Sequence, residues 1–247
     1  QDVTATFNKV SAYIKTQSAA DVNPSTGLGV IQLGDYVNLK SLNVAVYNSN
    51  SAVSITNTDA GNDKLRVMVV AINPYYDMNG NGTTTPHLIF HFKDFPGSAR
   101  MEATDTSANG YLNSEMRTYL TGTYWPALQT AGVPDAVVWP VSRRAANKGS
   151  GASGTHTIED KLWLPTEREM FGSNTNSSST YETDANQGRF AYYDSDWMRA
   201  KSTGWYWLAS PWFGAMSFGF CYVYGYDYLY SAISSNLGGC DPAFCVK

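Results

Sequence analysis

Five tyrosines, Tyr222, Tyr224, Tyr226, Tyr228 and Tyr230, recur at every second residue, separated by Val223, Gly225, Asp227 and Leu229 and preceded by Cys221. Only an extended chain keeps such a repeat on one face, because side chains alternate across a strand but rotate around a helix. Two readings follow. Period-2 aromatics usually face a core, and local bulges can turn rings inward. Against burial, five phenol hydroxyls would need partners inside that core, while Cys221, Val223 and Leu229 already give the opposite face small groups to bury. Tyrosine mixed with Ser, Gly and Asn is also the chemistry of antibody binding loops, where rigid rings give contact area at low entropic cost. The balance favours a recognition surface.

The rest of the chain reads as short strands with a few helices. Phe7, Val10, Tyr13 and Ile14 have helical spacing over residues 4–16, and Val22 to Gly29 reads as a turn broken by Asn23 and Pro24. Leu42, Val44 and Val46 alternate, Leu65 to Ile72 is a Val-rich buried strand, and Leu88, Phe90 and Phe92 alternate with His87, Ile89, His91 and Lys93. Helical spacing returns over 111–131 (Leu112, Met116, Tyr119, Leu120), with a second short helix from Pro126 to Gly132. Thr166 and Glu169 form a capping-box spacing ahead of Met170 and Phe171, and Gly172 stops that helix. Lys148 to Thr157 and Ser173 to Thr183, rich in Ser, Gly, Asn and Thr, read as surface insertions within one domain. The expected fold class is α+β.

Charge narrows the function classes. Lys and Arg number 17 against 21 Asp and Glu, a formal net charge of −4, so the clustered cations that bind nucleic acid are missing. Only 15% of residues are charged and 14% are aromatic, which suits an extracellular, virion or carbohydrate-facing protein. The longest apolar stretch, Val67 to Ile72, is far short of the ~18 residues a spanning helix requires. The sequence opens at Gln1 rather than Met, which suggests that an export or lipid-anchor segment was removed ahead of it.

Candidate chemistry is sparse. Asp77, Asn79, Asn81 and Gly82 match the opening of an EF-hand loop, but Leu88 stands where the closing Glu belongs, and repeated Asn-Gly is itself a turn signal. His87 and His91 lie about 13 Å apart on a strand and cannot share an ion. His156 reads as a surface-loop residue, and Glu167 and Glu169 point apart on their helix. Cys221, Cys240 and Cys245 make neither a disulfide framework nor a zinc site; they are small buried thiols or contain one bridge. No phosphate loop, Gly-x-Ser-x-Gly elbow or His-Glu-x-x-His is present. We therefore expect no catalytic residue, metal or cofactor.

Trp205-Tyr206-Trp207-Leu208-Ala209-Ser210-Pro211, Phe220-Cys221-Tyr222-Val223 and Gly238-Gly239-Cys240-Asp241-Pro242-Ala243-Phe244-Cys245 resemble the C-terminal region of variable proteins diversified by retroelements. Gly34-Asp35-Tyr36-Val37 and Leu162 to Gly172 resemble further landmarks of that family, particularly its spirochaete surface members. The resemblance covers residues ~30 to 247. It implies a C-type-lectin fold of the formylglycine-generating-enzyme type: residues 1–29 lead into a single domain over 30–247, with 205–247 as the variable region. It implies scaffold positions Trp207, Ser210, Pro211, Phe220, Cys221, Val223, Gly238, Pro242 and Phe244. The displayed, ligand-binding positions would be Phe213, Ala215, Met216, Ser217, Phe218, Gly219, Tyr222, Tyr224, Tyr226, Asp227, Tyr228, Tyr230, Ser231, Ser234, Asn236 and Asp241.

The calcium-dependent sugar motifs Glu-Pro-Asn and Trp-Asn-Asp are absent, and no reactive cysteine pair supports oxidase chemistry. The expected function is non-enzymatic binding of a protein or glycan ligand on another cell or host, by a monomer at the cell surface or a subunit of a phage tail. The alternative is a carbohydrate-active or metal-dependent oxidative enzyme using an aromatic-rich cleft. For the binding patch we expect an ordered backbone from 205 to 245, with most of the five Tyr rings accessible on one face.

Overall fold

The computed structural model describes residues 2–45, 52–56, 63–72, 85–147, 154–177, 189–201, 204–212, 219–224 and 228–247. It is a mixed α/β protein, with several antiparallel sheets and few helices.

A central sheet runs in the order Val138–Trp139, Ala243–Val246, Leu88–Phe92, Arg66–Ile72, Tyr36–Asn38, with Leu162–Trp163 also pairing to Ala243–Val246; every pairing is antiparallel. Leu88–Phe92 is buried on both faces, which is why Ile89 on the second face is apolar and His91 beside it is met by partners inside the protein. Leu88, Phe90 and Phe92 enter the larger core with Phe7 and Phe244, whereas Ile89 enters a second core with Trp163, Met170, Tyr193 and Leu208. Phe90 stacks on Phe244 at 5.5 Å, and Phe7 meets both edge-on at 5.4 and 5.9 Å. Each such side chain, once buried, contributes roughly 1.5–3 kcal/mol.

Phe7 is carried by helix α1, Val3–Ile14, which Asp2 caps by accepting the Ala5 N–H. Its buried face is Val3, Phe7, Ser11 and Ile14; Val10 and Tyr13, expected on that face, are half-buried at its margins. Ser11 donates its hydroxyl to the Lys247 carbonyl at 2.6 Å, fastening the helix to the last strand.

The helical stretch expected over 111–131 starts later, at Glu115–Tyr119, where Ser114 supplies the cap. A π-turn follows over Leu120–Tyr124, then helix Trp125–Thr130. Pro126 accounts for the widening: it has no N–H for the carbonyl one turn back, and its ring crowds that carbonyl. Thr166 and Glu169 form the expected capping box for Glu167–Phe171, and Gly172 closes it at φ 77°.

Two expectations need correction. Thr155–Asp160 is a strand paired to Val141–Ala146, so the surface insertion does not extend through Thr157, and half-buried His156 lies opposite Ala145 rather than in a loop. Ile158, buried opposite Arg143, supplies the apolar anchor that Gly/Ser composition obscured. The segment after Gly172 is held by the fully buried Glu167 carboxylate, which accepts the N–H groups of Thr175, Asn176 and Ser177 and the Ser177 hydroxyl. Cys240 and Cys245 are buried thiols outside any disulfide.

His87 gives a pH test of this packing. Burial, aided by the charge of Lys247 and opposed by the bond to the Thr85 carbonyl, lowers it from 6.5 to about 4. A depressed folded value means that the stabilisation is present above pH 6.5 and is lost as pH falls towards 4. The difference in unfolding free energy between the wild type and His87→Asn, measured by urea titration, should therefore shrink by about 3 kcal/mol across that window. A constant difference would show that His87 is not held neutral by its surroundings.

Candidate functional site

The second large sheet carries the tyrosine run. Its order is Tyr228–Ile233, Gly219–Tyr224, Tyr206–Pro211, Gly238–Cys240, Gly97–Ala99, antiparallel except for the parallel contact of Tyr206 with Gly239. The run is a hairpin rather than one continuous strand. Its register sets Tyr222 opposite Tyr230 and Tyr224 opposite Tyr228.

Within Gly219–Tyr224 the two faces differ as the alternation requires. Val223 lies in the second core, with Tyr206 and Leu208 of the neighbouring strand. On the other face Phe220 is buried in the main core, Tyr222 is half-buried, and Tyr224 is 53% exposed. One row of residues thus passes from core to solvent within five positions, and burial and display are successive parts of it.

Trp205 and Trp207 support this row. The Trp207 indole is fully buried and donates to the Ala99 carbonyl at 3.0 Å. Trp205, half-buried, meets Trp207 edge-on at 4.9 Å and Tyr222 at 4.8 Å. The Trp205 ring occupies the space beside Gly238 where a Cβ would stand: the nearest ring carbon is 2.2 Å from that position. Leu237, just before this glycine, is 54% exposed. The described surface is therefore an aromatic platform of Trp205, Tyr222 and Tyr224 on a buried Trp207–Phe220 base.

Of the expected scaffold positions, Trp207, Ser210, Pro211, Phe220, Val223, Gly238, Pro242 and Phe244 are buried, and Cys221 is placed by backbone register alone. Ser210 accepts the Glu167 N–H at 2.9 Å, and Ala209 donates to the Pro165 carbonyl, which ties Leu162 to Gly172 to the platform strand. Among the expected displayed positions, Tyr224 and Asn236 are exposed and Tyr222 is half-buried. Gly219, Tyr228, Tyr230 and Ser231 are placed by backbone register alone. Phe213, Ala215, Met216, Ser217, Phe218, Tyr226 and Asp227 lie outside the described residues, as do Asp77, Asn79, Asn81 and Gly82.

Ser234 and Asp241 are corrections, since both are fully buried. Ser234 accepts the Thr106 N–H and donates to the Thr104 carbonyl, anchoring the end of the hairpin. Asp241 faces His91 Nε2 at 3.1 Å and Lys201 Nζ at 3.0 Å. Burial pushes the Asp241 carboxyl up, but its contacts with His91 and Lys201 together outweigh it and hold the group below its ordinary value. Burial keeps the surrounding Tyr193 and Tyr206 phenols neutral, far above the ordinary value.

The sequence reading overlooked Trp205 and Leu237 as surface groups. The available signal was the Gly238-Gly239 pair, since glycine in a strand marks close approach of another group.

Residues 87–247 match a domain of unknown function, DUF6273. The chain belongs to that family. No curated protein and no solved structure matches it. The DUF6273 region holds the whole platform and its base, while Tyr36–Asn38 and Arg66–Ile72, which precede it, complete the central sheet. Among the described residues no group of three or more His, Cys, Asp or Glu is placed to hold a metal ion, and no helix is long and apolar enough to cross a membrane.

Gly238→Ala tests the platform's construction. A Cβ at that position must displace the Trp205 ring, at a cost of about 1–3 kcal/mol by overpacking. Denaturant unfolding should show that loss together with altered tryptophan fluorescence. Unchanged stability and fluorescence would mean that the indole does not rest on the glycine.

Proposed function

We propose that this chain is a non-enzymatic ligand-binding protein of the retroelement-diversified type, with a C-type-lectin fold of the formylglycine-generating-enzyme kind. Its ligand is a protein or glycan on another cell or host, met at the cell surface. The observation that carries this reading is the row Phe220–Tyr222–Tyr224, which leaves the core and ends in solvent on a platform whose base is buried. A base of Trp207, Phe220 and Val223 fixes the strand, so outward positions can change without removing the contacts that fold it. Exposed tyrosines suit such a surface because a two-torsion aromatic loses little freedom on contact. The α+β architecture and the burial of the expected scaffold residues support the fold assignment.

Tyr224→Ser should change stability by no more than about 0.5 kcal/mol, because the ring is exposed. Tyr222→Ser should cost about 1–2 kcal/mol, through lost packing on Trp205. Screening the purified protein against arrays of cell-surface proteins and glycans should give ligands whose binding is lost in a Tyr222→Ser/Tyr224→Ser/Tyr228→Ser variant that still unfolds cooperatively. Ligands indifferent to those substitutions would place the binding face elsewhere. Genomic sequence supplies a second check. The reading predicts a near-copy of the codons for residues 205–247, differing mainly at adenines, beside a reverse transcriptase; its absence from the complete genome would remove the diversified-protein reading.

A further inference from the structure

Lys201 and Asp241 bracket the platform segment in sequence, one just ahead of Tyr206–Pro211 and the other just after Gly238–Cys240. They meet in the interior. Lys201 Nζ stands 3.0 Å from Asp241 Oδ2, with both side chains essentially without solvent contact. The Tyr193 and Tyr206 rings lie 5.8 and 5.4 Å from the ammonium, and His91 Nε2 lies 3.1 Å from the same carboxylate oxygen. Removing an ammonium and a carboxylate from water is expensive, and an ion pair recovers that cost only when its remaining donors and acceptors are satisfied. Here they are not: both Asp241 carboxylate oxygens are buried without a hydrogen bond among the described residues, and Oδ2 has only its two ion-pair contacts.

We propose that Lys201 and Asp241 condense into an intramolecular isopeptide bond that closes the platform segment at its base. The surrounding groups fit each step. His91 Nε2 faces two acceptors, the Asp241 carbonyl oxygen and Oδ2, so Nε2 carries a proton, and Nδ1 accepts from the Tyr193 hydroxyl at 2.5 Å. A proton passes from the Lys201 ammonium to the carboxylate, giving a neutral amine and a carboxylic acid. The amine lone pair attacks Cγ, and negative charge builds on Oδ2, where the His91 N–H receives it. A second proton leaves the nitrogen, the Cγ–Oδ1 bond breaks, and Oδ1 departs as water.

The three ammonium protons are thereby divided, two into water and one onto the amide nitrogen; no oxidant or reductant is needed. Phe92 already accepts from Lys201 Nζ through its carbonyl oxygen, so the amide N–H has an acceptor in place, while the amide oxygen keeps the His91 donor. The oxygen expelled, Oδ1, is the one that neither ion-pair contact reaches. Holding the two groups in contact supplies the effective concentration that makes such a condensation accessible.

The test is the intact mass of the purified protein after days at neutral pH, followed by digestion under denaturing conditions. The expected result is a mass one water below that of the sequence and a branched peptide joining Lys201 to Asp241. Lys201→Arg, which keeps the charge but removes the nucleophile, should return the water. A full sequence mass, with Lys201 and Asp241 in separate unmodified peptides, would overturn the proposal. So would a one-water loss mapped to a cyclised aspartate in an unbranched peptide. Cyclisation of Gln1 removes ammonia rather than water and is distinguished by mass.

Discussion

Insertion of Ala243–Val246 into the central sheet is the contact on which the rest of the structure depends. This C-terminal strand pairs with Leu88–Phe92 on one side and with Val138–Trp139 and Leu162–Trp163 on the other. Its Phe244 completes the Phe7–Phe90 cluster, and its Ala243 and Cys245 line the second core. Contacts so distant in sequence close only once the whole chain has collapsed, so the helix at one end and the strand at the other must form their core together. The preceding residues inherit that rigidity, because Gly238–Cys240 joins the platform sheet only a turn earlier.

This arrangement sets what can change and what cannot. Phe220, Trp207 and Val223 belong to the interior, and replacing any of them with a small side chain would leave a cavity costing about 2–5 kcal/mol, much of a typical domain's stability. Tyr224 and Asn236 belong to the solvent. Tyr222 stands between, its ring against Trp205, so a substitution there alters both the surface and the support beneath it. On the proposed binding role, the hairpin provides chemical variety at its outer end while its inner end remains part of the core.

Much of the fold was legible because its elements are set by local chemistry. The capping box at Thr166 and Glu169, the stop at Gly172 and the helix over residues 4–16 rest on interactions within a few residues, and the Val-rich strand ending at Ile72 is marked by its own composition. The errors came where distant partners decide. Asp241 carries the composition of a surface residue, yet His91 and Lys201 meet it inside, and no local pattern announces a partner 150 positions away. Ser234 is a buried anchor because Thr104 and Thr106 reach it from another loop. The tyrosine alternation identified the strands but not the antiparallel pairing of Tyr222 with Tyr230, since two paired strands and a single long strand share the same period. The place of Trp205 is likewise set by a distant residue, since its ring fills the space that a Cβ at Gly238 would need and lies half-buried against Trp207 and Tyr222.

The central claim is that the display end of the hairpin is energetically separate from its base. Amide hydrogen exchange on a variant carrying Tyr224→Ser, Tyr228→Ser and Tyr230→Ser tests it most directly. The account predicts that amides of Tyr206–Ala209 and Phe220–Val223 keep wild-type protection, with changes confined to Tyr224 and residues beyond it. Loss of protection spreading through Phe220–Val223 into the Trp207 strand would show that the tyrosines hold the base together, and would contradict the account.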